Sequence, residues 1–273
     1  MKQRLDLALL ERGLVPSRQV AQALIMSRRV TVDGRVQDKP GIRIDSDSVV
    51  MVEAPALSYV SRGGLKLAGA LDSFRVDPTG STVLDIGAST GGFTDCMLQR
   101  GAARVFAVDV GHGQIDWKLR NDSRVVVIER LNARYLSAAD LPGLPDGVDI
   151  ATVDVSFISL RLVLPGVAAL LRRPPAPACI LALVKPQFEV GRGKVGRGGI
   201  VRDSALRREA LIGIARFAPT LGLSVRGLAR SPIAGAEGNV EYFAHLGNAT
   251  GGLSPEEIDN EATRLVDEEP ADE

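Results

Sequence analysis

The chain has 273 residues, 45% apolar and 24% charged, with a formal net charge of zero; it can bury a sizeable core and has room for two domains. No run approaches the roughly 18 uninterrupted apolar residues of a membrane span, and the start MKQRLDLALLERG is too charged for a secretory leader, so a soluble cytoplasmic protein off the membrane is expected. Cys96 and Cys179 lie far apart without a CxxC, and only His112 and His245 are available to join them, which supports neither a disulfide framework nor a metal site.

Residues 1–54 read as one small α+β unit. Leu5, Leu9 and Leu10 give a first helical face, and Gly13 is placed to end it. Ser17 can cap a second helix in which Val20, Ala21, Leu24 and Ile25 share a face. VTVDGRV follows, its valines flanking Asp33-Gly34, the signal of a two-residue hairpin. Arg12 to Arg43 holds seven basic and two acidic residues. Among them Arg18, Arg28, Arg29 and Arg35 can offer guanidinium groups to phosphates from one face. A polyanion partner and a merely solvated basic surface both fit that charge. The ordered set RLDLALLERGL, Ser17-Arg18, VTVDG, Lys39-Pro40 and Asp47 before VVMV resembles the S4-type RNA-binding domain. The resemblance implies that the helix pair and hairpin meet structured RNA.

Residues 55–63 read as a linker to a helix at about Leu65 to Phe74, which carries Lys66. From there to residue 252 strands and helices alternate. TVLDIG, RVFAVDV, RVVVIE, VDIATVDV, ACILALVK, LSVRGLA and VEYFAHL are the strands; DCMLQR, SLRLVLPGVAALL and SALRREALIGIARFA are among the helices. Such alternation predicts an α/β domain with a largely parallel sheet covered on both faces. The stretch Pro186 to Asp203 contains five glycines and the basic residues Arg192, Lys194, Arg197 and Arg202. Too long for a simple connection, it reads either as a mobile flap that meets an RNA backbone and covers a site, or as a surface insertion. Leu253 to Glu273 holds nine acids and one arginine, which leaves residues 1–252 with a net +8. It reads as a short helix, Pro255 to Val266, and a frayed tail without an assigned role.

VLDIGASTGGF, Val83 to Phe93, is the most informative run. Thr82, Val83, Leu84 and Ile86 surround Asp85 as a short buried strand, and a glycine turn opens onto a helix that ends at Gly101. This build lets backbone N–H groups approach a nucleotide-like ligand. The spacing Gly87-x-x-x-Gly91-Gly92 is not the dinucleotide G-x-G-x-x-G, since Ser89 fills its third position, and the Gly-Lys of a Walker loop is absent. Asp109, which ends RVFAVDV 18 residues beyond Gly91, can accept both ribose hydroxyls of an adenosine cofactor. Asn132-Ala133, after the third strand, either borders an adenine edge or forms an ordinary turn. Asp154 ends the fourth strand, Lys185 ends the fifth and Glu241 opens the last. Charges at such strand ends form structural ion pairs or face a pocket together with the cofactor.

The glycine turn resembles motif I of Rossmann-like S-adenosylmethionine methyltransferases, whose seven-stranded sheet has an antiparallel last strand. That resemblance implies S-adenosyl-L-methionine held by Asp85, Gly87, Ala88, Ser89, Thr90, Gly91, Gly92, Phe93, Asp109, Asn132, Ala133 and Asp154. Lys66, Asp154, Lys185 and Glu241 resemble the K-D-K-E tetrad of 2′-O-ribose methyltransferases in order and placement. A ribose hydroxyl is a poor nucleophile whereas a sulfonium methyl is already activated, so such an enzyme must orient and deprotonate. Lys185 is the candidate base, a role that needs the neutral amine; Asp154 and Glu241 would orient the lysines. No metal is called for.

With SRGGLKL, DIGASTGGFTD, DVSFISL, LVKPQFEVG and GNVEYF, the chain from about Arg4 to Leu246 resembles the TlyA family. These are bacterial rRNA cytidine-2′-O-methyltransferases historically labelled hemolysins. The resemblance implies ribosomal RNA and ribosomal subunits as partners, with a large-subunit cytidine as target and a small-subunit one in some members. The RNA contacts would be Arg18, Arg28, Arg29 and Arg35, with Arg192, Lys194 and Arg197 on the flap. A membrane-active hemolysin is disfavoured because nothing spans a bilayer and Pro165 interrupts SLRLVLPGVAALL. A non-catalytic RNA-binding protein is disfavoured by the intact Asp85, Asp109, Asp154, Lys185 and Glu241. A dehydrogenase is disfavoured by the glycine spacing.

Overall fold

The computed structural model describes residues 2–15, 18–26, 28–52, 59–144, 146–191, 193–235 and 238–268. The chain divides into two compact units, Met1–Ser58 and Tyr59–Glu273.

The small unit runs β1 (Lys2–Arg4), α1 (Leu5–Glu11), α2 (Arg18–Met26), β2 (Val30–Val32), β3 (Arg35–Gln37), β4 (Arg43–Asp45) and β5 (Val50–Val52). β2 lies between β3 and β5 in an antiparallel sheet, and β1 pairs with β4. Asp33 and Gly34 both take positive φ, 50° and 77°, so VTVDGRV closes through the primed turn that its sequence predicts. Leu5, Leu9, Ala21, Ile25, Val30 and Ile44 meet in the core. Leu10, expected beside them, is exposed, because Leu5, Ala8 and Leu9 already complete the inward stripe at i, i+3, i+4. β1 and β4 escaped the sequence reading, since three residues are too few for a period to register. The cap assigned to Ser17 and the packing assigned to Val20 lie outside the described residues and side chains.

Asp6 is completely buried in this core. It accepts hydrogen bonds from Arg4, Arg18 and Gln22, each at 3.0 Å. The Arg4 guanidinium leads in holding its carboxyl far below the ordinary carboxylate range, against the cost of burial.

The large unit contains α3 (Gly63–Phe74), β6 (Thr82–Ile86), α4 (Gly92–Gln99), β7 (Arg104–Val108), α5 (Trp117–Arg120), β8 (Val125–Ile128), β9 (Ile150–Val153) and α6 (Leu160–Ala169). β10 (Cys179–Val184), α7 (Pro186–Glu189), α8 (Ser204–Ala215), β11 (Ser224–Arg230), β12 (Tyr242–Gly247) and α9 (Pro255–Asp267) follow. All seven predicted strands join one sheet in the order β11-β12-β10-β9-β6-β7-β8, and only β12 runs against its neighbours. Alternate residues feed two cores. Val83, Val105, Leu181 and Phe243 meet Leu67 of α3 and Met97 of α4. Leu84, Phe106, Ala182 and Ala244 share the other core with Val163 of α6 and Leu211 of α8. The fold is thus the Rossmann-like methyltransferase architecture that the strand order implies.

Three segments differ from expectation. Tyr59 onward belongs to the large unit and not to a linker; the Val60 N–H donates to Asp95 Oδ2 at 2.8 Å. α9 forms where a helix over Pro255 to Val266 is expected, but it has a structural role that the sequence does not assign. Ile258, Ala262, Leu265 and Val266 are buried in the same core as α8, an i, i+4, i+7, i+8 stripe that the surrounding acids mask in sequence. Arg208–Asp267 (3.0 Å) and Arg216–Asp259 (2.6 Å) pairs tie the two helices together. The Pro186–Asp203 stretch is anchored rather than free: it opens with α7, and Val190 and Val201 are buried against Ala210 of α8. α6 also continues through Pro165, and among the described residues no helix is long and apolar enough to cross a membrane.

Candidate active site

At the carboxyl ends of β6 and β9, the start of α3 and the glycine turn enclose a cavity of about 270 Å³. Arg62, Lys66, Gly87 to Thr90, Asp154 and Gly235 contribute to its wall. The turn can lie this close because its glycines have no side chains. A Cβ on Gly87 would stand 2.2 Å from the Asp154 carbonyl oxygen, and one on Gly92 would stand 2.2 Å from the Ser61 hydroxyl. Gly87 and Gly91 also take φ of 81° and 95°, where other residues are strained.

Two carboxylates shape the turn from opposite sides. Asp109 Oδ2 accepts the Ser89 N–H at 2.8 Å and Oδ1 accepts the Gly111 N–H at 2.7 Å. Both oxygens keep a lone pair for a ligand hydroxyl. Asp85, expected among the cofactor contacts, is instead completely buried beneath the turn. Its oxygens accept the hydroxyls of Thr94 (2.6 Å) and Thr152 (2.8 Å), so it ties β6 to α4 and β9. Burial pushes its carboxyl up to about 6, because threonine hydroxyls offset desolvation only in part. Asn132 is exposed, and its Oδ1 caps a short turn at the Arg134 N–H, 3.0 Å away. Ala133 beside it is half-buried.

The four charged residues are brought together as two ion pairs. Lys66 Nζ donates to Glu241 Oε2 at 2.6 Å, with side-chain exposures of 12% and 2%. Lys185 Nζ stands 2.5 Å from Asp154 Oδ1 and 3.1 Å from the Ser156 hydroxyl, again with little exposure (11% for the lysine, 20% for the aspartate). Lys66 and Asp154 line the cavity directly, and each is backed by its partner. Charges withdrawn this far from water persist only when paired, so the structural ion pairs and the pocket-facing set are the same groups.

Sequence reasoning passed over several residues here. Ser156 lies within DVSFISL, but nothing in its spacing marks a lysine partner. Gly235 is needed because a Cβ would fall 2.1 Å from Glu241 Oε1, a contact only the folded chain creates. Asn239 accepts from the Val201 N–H (3.2 Å) and donates to the Gly199 carbonyl (3.1 Å), joining the Pro186–Asp203 stretch to the approach to β12. Of the basic residues assigned to that stretch, Arg197 is exposed, Lys194 is paired with Glu209 at 2.9 Å, and Arg192 lies outside the described residues. In the small unit Arg18, Arg28, Arg29 and Arg35 are all exposed; Arg18 is bonded to the buried Asp6 at 3.0 Å, and Arg28 is paired more loosely with the exposed Asp38 at 3.6 Å.

The family model described as FtsJ-like methyltransferase matches residues 59–248, and the S4 domain model matches residues 3–50. The Mycobacterium tuberculosis 16S/23S rRNA (cytidine-2′-O)-methyltransferase TlyA is 45% identical over 98% of this chain and 98% of its own length. Hemolysin A of Brachyspira hyodysenteriae is 41% identical over 89% of this chain and 99% of its own. A solved structure from Streptococcus thermophilus, described as a candidate hemolysin, is 42% identical with a TM-score of 0.74, covering 97% of this chain and 95% of that one. The glycine turn, the strand order and the two lysine–carboxylate pairs therefore sit in a chain that belongs to the FtsJ-like methyltransferase family, in its TlyA branch.

Proposed function

We propose that this methyltransferase modifies the 2′-hydroxyl of a cytidine ribose in ribosomal RNA, acting on ribosomal subunits in the cytoplasm. The observation that carries the reading is the convergence of Lys66–Glu241 and Lys185–Asp154 on one small cavity beside the glycine turn. The residues present fit S-adenosylmethionine. Asp109 and the open backbone of Gly87 to Thr90 offer acceptors and donors to an adenosine and an amino-acid end, and Asp154 offers a negative charge to a cationic donor. When bound, that donor supplies an already activated methyl group.

The protein then has to orient a weak nucleophile and take one proton. Lys185 accepts the 2′-hydroxyl proton at Nζ. Asp154 and the Ser156 hydroxyl fix the position of that amine, and Glu241 fixes Lys66 at the cavity wall. In the small unit, exposed Arg28, Arg29 and Arg35 supply phosphate contacts, and Arg197 does so on the large unit.

Labelled S-adenosylmethionine with purified 30S, 50S and 70S particles, followed by mapping of the modified ribose, tests the reading. Label on the 2′-oxygen of a cytidine is the expected result. Label on a base, or on no particle, rejects it.

A further inference from the structure

Lys185, Phe188 and Glu189 lie within one turn of chain, and each reaches across to the segment between β9 and α6. Lys185 meets Asp154 and Ser156. The Phe188 ring lies 5.1 Å from the Phe157 ring, tilted by 52°. Glu189 Oε2 accepts the Ser159 hydroxyl hydrogen at 2.6 Å, and Oε1 accepts the Leu160 N–H at 2.8 Å. These are three rungs between the same two segments, and only the first borders the cavity.

The rungs are held in step by α7. The Phe188 N–H donates to the Lys185 carbonyl (2.9 Å) and the Val190 N–H to that of Pro186 (3.1 Å). Lys185 and Glu189 therefore flank one helical turn. The opposite segment is not relaxed: Phe157 takes a φ of 65°, which a bulky residue keeps only where its surroundings impose it. At the start of α6 the Ser159 hydroxyl accepts the Arg161 N–H at 3.2 Å, which leaves the Leu160 N–H to Glu189, so the carboxylate fixes the end of the β9–α6 segment through both residues. The carboxylate is also half-buried, and desolvation pushes it above its ordinary range.

We infer that Glu189 is a positioning residue, setting the β9–α6 segment so that Asp154 and Ser156 meet Lys185; the inference rests on the role proposed for Lys185. Gln at this position keeps both bonds, since its carbonyl accepts from Leu160 and its amide donates to the Ser159 oxygen. Ala keeps neither. The test compares wild type, Glu189→Gln and Glu189→Ala in single-turnover methyl transfer to 50S subunits, with S-adenosylmethionine affinity measured by calorimetry.

Glu189→Ala is expected to slow transfer about 10- to 100-fold at unchanged donor affinity, and Glu189→Gln to restore the rate. A wild-type rate in the Ala variant, or equal losses in both variants, overturns the inference. If the Ala variant does not fold, Ser159→Ala takes its place: slowed transfer supports the brace and a wild-type rate overturns it. A wild type inactive on every ribosomal particle overturns the proposed activity itself, and this inference with it.

Discussion

Asp6 and Asp85 are both completely buried, one in each unit, yet their surroundings push them in opposite directions. Asp6 is met by two guanidinium groups and stays ionised far into acid. Asp85 is met by two neutral hydroxyls and is pushed up to about 6. Desolvation leads at Asp85, where no cation offsets it, whereas at Asp6 the Arg4 guanidinium outweighs desolvation. At the candidate active site Asp154 and Glu241 are each paired with a lysine. Asp85, buried without a cation, braces a turn; the carboxylates paired with lysines stand at the candidate active site instead.

The strongest way to break this contrast is to remove one cation at the cavity. Lys185→Ala should lower methyl transfer by about 10²- to 10⁴-fold, with donor and rRNA binding unchanged in calorimetry and filter assays. Normal turnover would remove Lys185 as the base. Glu241→Ala strips the other pair and leaves a nearly buried ammonium, which should cost the large unit about 3 kcal/mol in urea unfolding. A loss below about 1 kcal/mol would place that pair among the surface bridges instead.

Acid titration sharpens the contrast between the two aspartates. Asp85 is raised above its unfolded value of about 4, so the native state binds the extra proton. Its contribution to stability is therefore greatest in acid and falls as pH rises from about 4 to about 6. Asp85→Asn should flatten that fall. Asp6 is depressed, so its contribution is fully present above about pH 4 and is lost as pH drops further. Amide exchange, read separately for α1 and for β6, distinguishes the two. Parallel pH profiles in both units would contradict the argument.

The smallest expected effect concerns the exposed arginines. Arg28→Ala and Arg29→Ala should each reduce the salt slope of rRNA binding by about 1. Arg18→Ala should change the slope less and destabilise the small unit more, because its guanidinium is spent on Asp6. Equal slopes for all three variants would mean that the Asp6 contact opens on RNA.

Much of this molecule was legible in one dimension. The Asp33-Gly34 hairpin, all seven strands of the large sheet and the glycine turn are written in periods and dipeptides spanning only a few residues. Asp154, Lys185 and Glu241 are legible as charges at strand ends that converge in a sheet of this topology, whereas Lys66, on α3, joins them only through the family resemblance. What failed did so for identifiable reasons. The buried stripe of α9 was masked by acids on its other face. β1 and β4 are too short to show a period. The Pro186–Asp203 stretch shows its glycines in sequence but not the valines that pin it to α8.

The sequence alone determined that a strand, a glycine turn and a helix form a cradle, and that three charged residues stand at strand ends, because these depend on neighbours along the chain. Only the tertiary structure decided which lysine meets which carboxylate. It also turned Asp85 from an expected ligand contact into a buried brace. Such pairings join residues as distant as Lys66 and Glu241, and their energies depend on the desolvation that folding imposes, which no local pattern encodes.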